Sequence, residues 1–296
     1  MGELRIGISG WSYPGWRGPF YPERLPLRRQ LEYASRRFNS IEINASFYRL
    51  QTPKSYRSWY EQTPPGFRFA VKGSRFITHN KKLRNVDTPL ANFFASGVLL
   101  LRDKLGPFVW QLSERLRFDA ARVEDFLARL PRTTLDASRL AERHDGRVDG
   151  RCSMEAGGRR RLRHALEVRN ESWLVPESVR ILRRHDVALV FSDAADWPYS
   201  EQLTASFVYL RLHGSERTYA SRYDDRSLGR LAERIHCWRN GREPEDARRV
   251  LDRPARTRRE RDVYVYFDND WAANAPRDAL RLAERLGVGA GPVNVP

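Results

Sequence analysis

Eight short runs of β-type residues recur along the chain, most of them separated by a helical pattern, and this alternation limits the possible folds more than any other feature. The runs are Leu4–Ser9, Ser40–Asn44, Arg68–Lys72, Phe108–Leu112, Ala165–Arg169, Ala188–Ser192, Phe207–His213 and Val263–Asp268. Helical patterns cover Leu27–Arg37, Pro53–Gln62, Pro89–Leu105, Ala120–Leu130, Pro176–His185, Ser227–Asn240 and Pro276–Leu286. Pro89, Pro176 and Pro276 stand where a first-turn proline belongs, since its missing N–H is unpaired there anyway. Strands alternating with helices build a parallel sheet with crossover connections. Eight such units close a TIM-like (β/α) barrel, an α/β fold whose usual size of about 250 residues leaves room for insertions in a chain of 296. An open doubly wound sheet is the rival, but no Gly-x-Gly-x-x-Gly turn follows the first run. The prediction is one barrel domain over residues 1–296.

Two stretches fit no strand–helix unit. Residues 132–163 and 241–261 are rich in Arg, Asp and Glu, short of large apolar side chains, and read as surface insertions that are partly helical at best. Both precede a strand, so in a barrel they lie on the face opposite the active site. The whole chain carries 53 basic against 37 acidic residues, a net +16, and only five of the basic residues are lysine. Guanidinium groups grip phosphate bidentately, so such an excess suits an anionic partner, nucleic acid included; it also suits plain solvated decoration. No apolar run is long enough to span a bilayer, and the N-terminus lacks a signal peptide's apolar stretch. Two cysteines, Cys152 and Cys237, cannot staple a secreted framework, so the expectation is a cytoplasmic protein without a membrane role.

Successive side chains of a strand point to opposite faces. Ile41 and Ile43 therefore oppose Glu42 and Asn44, and Leu166 and Val168 oppose Glu167 and Arg169. Val208, Leu210 and Leu212 oppose Tyr209, Arg211 and His213; Val263, Val265 and Phe267 oppose Tyr264, Tyr266 and Asp268. Lys72 ends the third run and Gln111 nearly ends the fourth. The apolar sets must bury against helices, so the polar sets point into the barrel or up from its rim. Most sit at the C-terminal ends of their runs, the catalytic face of this fold. Trp11, Phe47, Tyr48, Trp173 and Tyr219 follow strand ends on that face and would wall a polar floor. Glu42, Glu167 and Asp268 nearly cancel Lys72, Arg169 and Arg211, which suits either an active site or a structural ion-pair lattice across the barrel.

Several motifs resemble one family. They are Ile6-Gly7-Ile8-Ser9-Gly10-Trp11-Ser12-Tyr13 with Phe20-Tyr21-Pro22, Phe38–Tyr48, Phe67–Lys72 with Ile77-Thr78-His79, and Gln111-Leu112. Glu167–Trp173, Tyr209–Gly214 and Tyr264–Asp270 complete the set in order. Together they resemble the YecE-like family, domain of unknown function 72, over most of residues 4–130 and 164–286. The resemblance implies a TIM-like barrel and no settled activity. The two basic insertions, and Asp268 and Asp270 where the family more often has Asn and His, depart from the family pattern.

Three functions suit these residues. In the first, an enzyme acts on a phosphate ester or nucleic acid: Lys72, Arg169 and Arg211 hold the anion and His213 moves protons. Glu42 and Glu167 then orient the histidine or hold a divalent metal, with His79, Asn44 and Asp268 at the same site. In the second, Glu42 and Glu167 form the acid–base pair of a glycosidase-like hydrolase beside Trp11, Tyr48 and Trp173. In the third, a non-catalytic module binds nucleic acid on its basic surface. Asp193, ending the sixth run, is a further acid or a turn-forming residue.

Overall fold

In the computed structural model, which describes residues 1–214 and 216–289, the eight runs form eight parallel strands paired in chain order. They are β1 (Leu4–Ser9), β2 (Ser40–Ile43), β3 (Arg68–Lys72), β4 (Leu105–Gln111), β5 (His164–Glu167), β6 (Val187–Ser192), β7 (Phe207–Leu212) and β8 (Asp262–Phe267). β8 pairs back onto β1, Ile6 opposite Val265, and the sheet closes into a barrel. Helices lie outside it: α1 (Gln30–Ser35), α2 (Ala45–Tyr48), α3 (Pro53–Gln62), α4 (Asp87–Ala95), α5 (Ala120–Arg129), α6 (Thr134–Ala141), α7 (Pro176–Arg184), α8 (Asp225–Arg239) and α9 (Asn274–Arg285).

Alternation along the strands sorts the core into two layers. Ile41, Ile43, Leu166, Val208, Leu210, Val263, Val265 and Phe267 pack outward with the helices. Inside the barrel a separate cluster holds Ala70, Val109, Ala165, Val190, Tyr209, Tyr264 and Tyr266. The small side chains there make room for the three tyrosine rings, and the Tyr266 hydroxyl meets Ser40 Oγ at 2.6 Å.

Several ends differ from the sequence reading. β2, β5, β7 and β8 stop one or two residues early, so Asn44, Arg169, His213 and Asp268 stand just beyond their strands, in the loops of the C-terminal face. The long helix expected from Pro89 to Leu105 ends at Ala95. Gly97 there adopts φ +101°, where a side chain would strike the backbone of Pro53, and a tighter 3₁₀ stretch follows from Val98 to Lys104. Pro89 and Pro276 sit in the third position of α4 and α9, still within the turn whose N–H groups lack intrahelical partners. The 132–163 stretch contains a true helix, α6, begun by a capping box in which Thr133 and Asp136 bond each other's backbone N–H. Residues 241–261 form no helix or strand but are pinned by side chains: Gln202 accepts the N–H groups of Val250 and Leu251, and Glu243 that of Ala255. Among the described residues no helix is long and apolar enough to cross a membrane.

Candidate functional site

Arg211 rises from β7 into the barrel and is completely buried. Its Nε lies 3.1 and 3.2 Å from the two Glu42 oxygens, Nη1 donates to Glu167 at 2.7 Å, and Nη2 donates to Asp268 at 2.8 Å and Ser9 Oγ at 3.0 Å. Tyr209 donates its hydroxyl to Glu42 at 2.6 Å, and Arg169 donates Nε to Glu167 at 3.0 Å. Each carboxylate is thus held by charge-assisted bonds, the condition under which buried ions are tolerated. Burial pushes the Glu167 and Asp268 carboxyls up, but Arg211 beside both, helped by Arg169 and His213 at Glu167 and by His213 and Lys72 at Asp268, overrides it and holds them well below the usual carboxylate range. These groups stay ionised at any working pH.

His213 belongs to this buried layer. Its Nε2 accepts from Arg211 Nη1 at 3.2 Å, which places the ring proton on Nδ1, 3.1 Å from Asp268 but off the line of a good hydrogen bond. Trp197 and Tyr219 roof the imidazole edge-on, with centroids 4.8 and 5.4 Å away. Beneath it Asp193 accepts the His213 backbone N–H at 2.9 Å and the Tyr223 hydroxyl at 2.6 Å. Burial raises the Asp193 carboxyl to about 6.

Above the lattice opens a cleft of about 800 Å³ on the C-terminal face. Asn44, Lys72, Gln111, Arg169 and Asp268 form its floor; Tyr13, Phe47, Tyr48 and Tyr219 its aromatic wall; and Arg75, His79 and Asp270 its rim. Gly10, at φ +79°, makes the turn that brings Tyr13 back over β1, where its hydroxyl donates to the Ser9 carbonyl at 2.7 Å. Lys72 is buried, with Nζ 4.6 Å from the Phe47 ring centroid and no hydrogen-bond partner among the described residues. Burial, then Arg211, pulls its pKa down to about 8. The Arg169 guanidinium carbon sits over the Trp197 ring, 3.5 Å from its centroid. His79 comes from a π-helical turn, Phe76–Asn80, a distortion frequent at functional sites. Its Nδ1 meets the Thr78 hydroxyl at 2.9 Å, and burial with Arg169 and Lys72 lowers its pKa, keeping the imidazole neutral at pH 7.

Of the twelve residues singled out from sequence, Asn44, Tyr48, Lys72, His79, Arg169 and Asp268 line this cleft. Glu42, Glu167, Arg211 and His213 converge directly beneath it but are sealed from it. Two aromatic residues lie elsewhere. Trp173 is buried, donating Nε1 to the Leu116 carbonyl at 2.7 Å and packing on Phe118. Trp11 packs edge-on against Trp59 beside a smaller neighbouring hollow. Tyr13 and Asp270 enter the sequence reading only as parts of motifs, and Trp197 not at all. They sit on loops, where neither period nor spacing marks a direction. Among the described residues no three His, Cys, Asp or Glu side chains are grouped to hold a metal ion, and the carboxylates expected to ligate one are occupied by Arg211.

The family model described as a protein of unknown function, DUF72, matches residues 5–295. The chain belongs to the DUF72 family. It is 36% identical over 109 residues to the UPF0759 protein YecE of Escherichia coli K12, covering 37% of each chain. It is 30% identical over 79 residues to YunF of Bacillus subtilis 168, covering 27% of each. The chain thus aligns with 37% of the length of the first of these relatives and 27% of the second. Two solved members share the fold along nearly the whole chain. A DUF72 family protein of Thermotoga maritima superposes with a TM-score of 0.72 at 23% identity, covering 96% of this chain and 99% of that one. One of Enterococcus faecalis V583 superposes with a TM-score of 0.69 at 15% identity, covering 99% and 100%.

Proposed function

We propose that the chain is an enzyme acting on a phosphate-bearing substrate at the C-terminal face of its barrel, with the phosphate held by Lys72, Arg169 and Arg75. The carrying observation is the Lys72 ammonium: it is buried in the cleft floor and has no hydrogen-bond partner among the described residues, whereas Arg211 below it is fully engaged. A desolvated cation without a partner is unfavourable, and an entering anion supplies the missing one. His79 supports an acid–base role because its imidazole is neutral and stands at the rim beside the same cations. Burial, then Arg169 and Lys72, keeps the ring deprotonated; an arriving phosphate offsets the two cations, so His79 can take a proton from an attacking water once substrate is bound. Arg211 and His213 act from below, by fixing Glu167 and Asp268.

The glycosidase reading is less favoured. Glu42 and Glu167 are both inaccessible from the cleft and held by a guanidinium, so neither offers a proton to a leaving group. Calorimetry with inorganic phosphate and turnover of aryl phosphate mono- and diesters test the proposal. Lys72→Met should lose phosphate affinity at least tenfold and His79→Gln should lose turnover with binding retained. Equal phosphate affinity of wild type and Lys72→Met would remove the anion site.

A further inference from the structure

A second basic hollow of about 700 Å³ opens on the same face, between the loops that follow β3 and β4. Six cations line it: Lys81, Lys82, Arg84, Arg115, Arg117 and Arg122. Its one lining carboxylate, Asp119, is already engaged. It caps α5 by accepting the Arg122 N–H and pairs with the Arg122 guanidinium at 3.0 Å, with Arg84 3.8 Å away. Neighbouring Glu114 turns instead to the Trp197 indole N–H, 3.2 Å away. Lys81, Lys82, Arg115 and Arg117 therefore have no carboxylate partner among the described residues. They repel one another in a chain that already carries +16.

The hollow is preorganised. Lys82, Leu83 and Asn85 hold positive φ angles of 49°, 68° and 51°, and Leu83 is fully buried beneath them. Such backbone persists only where its surroundings enforce it. The facing loop is fastened by Trp173, whose indole bonds the Leu116 carbonyl, and by Ser172, which accepts the Phe118 N–H at 2.9 Å. The hollow and the cleft are neighbours. Arg117 of the hollow and Arg169 of the cleft floor line one further groove, together with Glu171 and Asp196, and Lys81 directly follows the His79–Asn80 rim.

We propose that this hollow is a second phosphate subsite, so that the ligand whose one phosphate enters the cleft carries a further phosphate out over the β3 and β4 loops. This rests on the anion-binding reading of the cleft and narrows it: the substrate is a polyphosphate or a phosphodiester strand, not a lone phosphate monoester.

The test compares wild type, Lys72→Met, and the triple variant Arg84→Gln/Arg115→Gln/Arg117→Gln, whose three side chains are exposed. Binding of inorganic phosphate, inorganic tripolyphosphate and a short oligodeoxythymidylate is measured over a salt series, after thermal melting shows each variant folded. The triple variant should keep the wild-type affinity for inorganic phosphate. It should lose at least tenfold for a longer probe, its slope of log K against log salt becoming shallower by about 2 as three phosphate contacts are lost. Loss confined to the oligonucleotide assigns a phosphodiester strand; loss confined to tripolyphosphate assigns a free polyphosphate; each supports the subsite. Unchanged affinity of the triple variant for both longer probes overturns it, even where Lys72→Met has lost inorganic phosphate and the cleft reading stands. A Lys72→Met protein that binds inorganic phosphate normally overturns the cleft reading instead, and with it the linkage of the two sites.

Discussion

Lys72 trades stability for binding. Its pKa, near 8 when folded, sits below the ordinary lysine value, so between about pH 8 and 10.4 the unfolded chain binds the extra proton and stability rises with pH. Below pH 8 the folded protein carries the full penalty of a desolvated ammonium, about 3 kcal/mol. Lys72→Met is therefore expected to be more stable than wild type at pH 7 by up to that amount, with the difference shrinking toward pH 10 in urea titrations. Phosphate should also bind more weakly as pH climbs through 8. Proton uptake should accompany binding near that pH, visible as a buffer-dependent calorimetric heat. Arg169 depends on a neighbour of another kind: Trp197 fixes the plane of its guanidinium. Trp197→Ala should weaken phosphate binding severalfold while moving the melting temperature little, since Trp197 is only partly buried.

At the scale of the elements, β2, β5, β7 and the loop after β8 are tied across the barrel through one guanidinium. Arg211→Met strands Glu42, Glu167 and Asp268 in the interior and should lower unfolding free energy by about 3–5 kcal/mol. If chemical denaturation showed a loss below 1 kcal/mol, the lattice would not be structural. The same ties set the acid response. Glu167 and Asp268 have folded pKa values below their unfolded ones, so their contribution is present above about pH 4 and is lost as pH falls through the acid range. The melting temperature should accordingly hold steady down to about pH 4 and fall progressively below it. The polar identity of these strand faces was legible from alternation alone. That Glu42 and Glu167 lie under the cleft while Asp268 reaches its floor was not legible, because the depth of a side chain in a barrel depends on the stagger between neighbouring strands.

For the whole molecule, charge is apportioned between two faces. The 132–163 and 241–261 stretches lead into β5 and β8, on the face away from the cleft, and many of their arginines are bound locally. Arg161 pairs with Asp186, Arg163 with Asp262 and Arg249 with Glu243. Neutralising the exposed Arg151, Arg159 and Arg256 to Gln should leave phosphate affinity and its salt dependence as in wild type. A loss comparable to that of the cleft variants would show that the insertions steer ligand to the site. His164 illustrates the same locality. The first residue of β5, it accepts from Trp110 at 3.2 Å and bonds the Pro131 carbonyl at 2.8 Å, with burial lowering its pKa to about 3.

The order of strands, the closure of the barrel and the inward set from Glu42 to Asp268 follow from the sequence, because side-chain alternation and helix periodicity are local properties of the backbone. The sequence also placed Lys72, Asn44 and Arg169 on the catalytic face, because strand ends define it. Only the tertiary structure decided which of these groups meet a ligand. Arg211 took the carboxylates for itself, Trp173 went to the packing of a loop, Tyr13 came in from a loop to wall the cleft, and Trp197 came in from another to back Arg169. Those outcomes depend on how loops from distant parts of the chain fold over one another, and no local period encodes that.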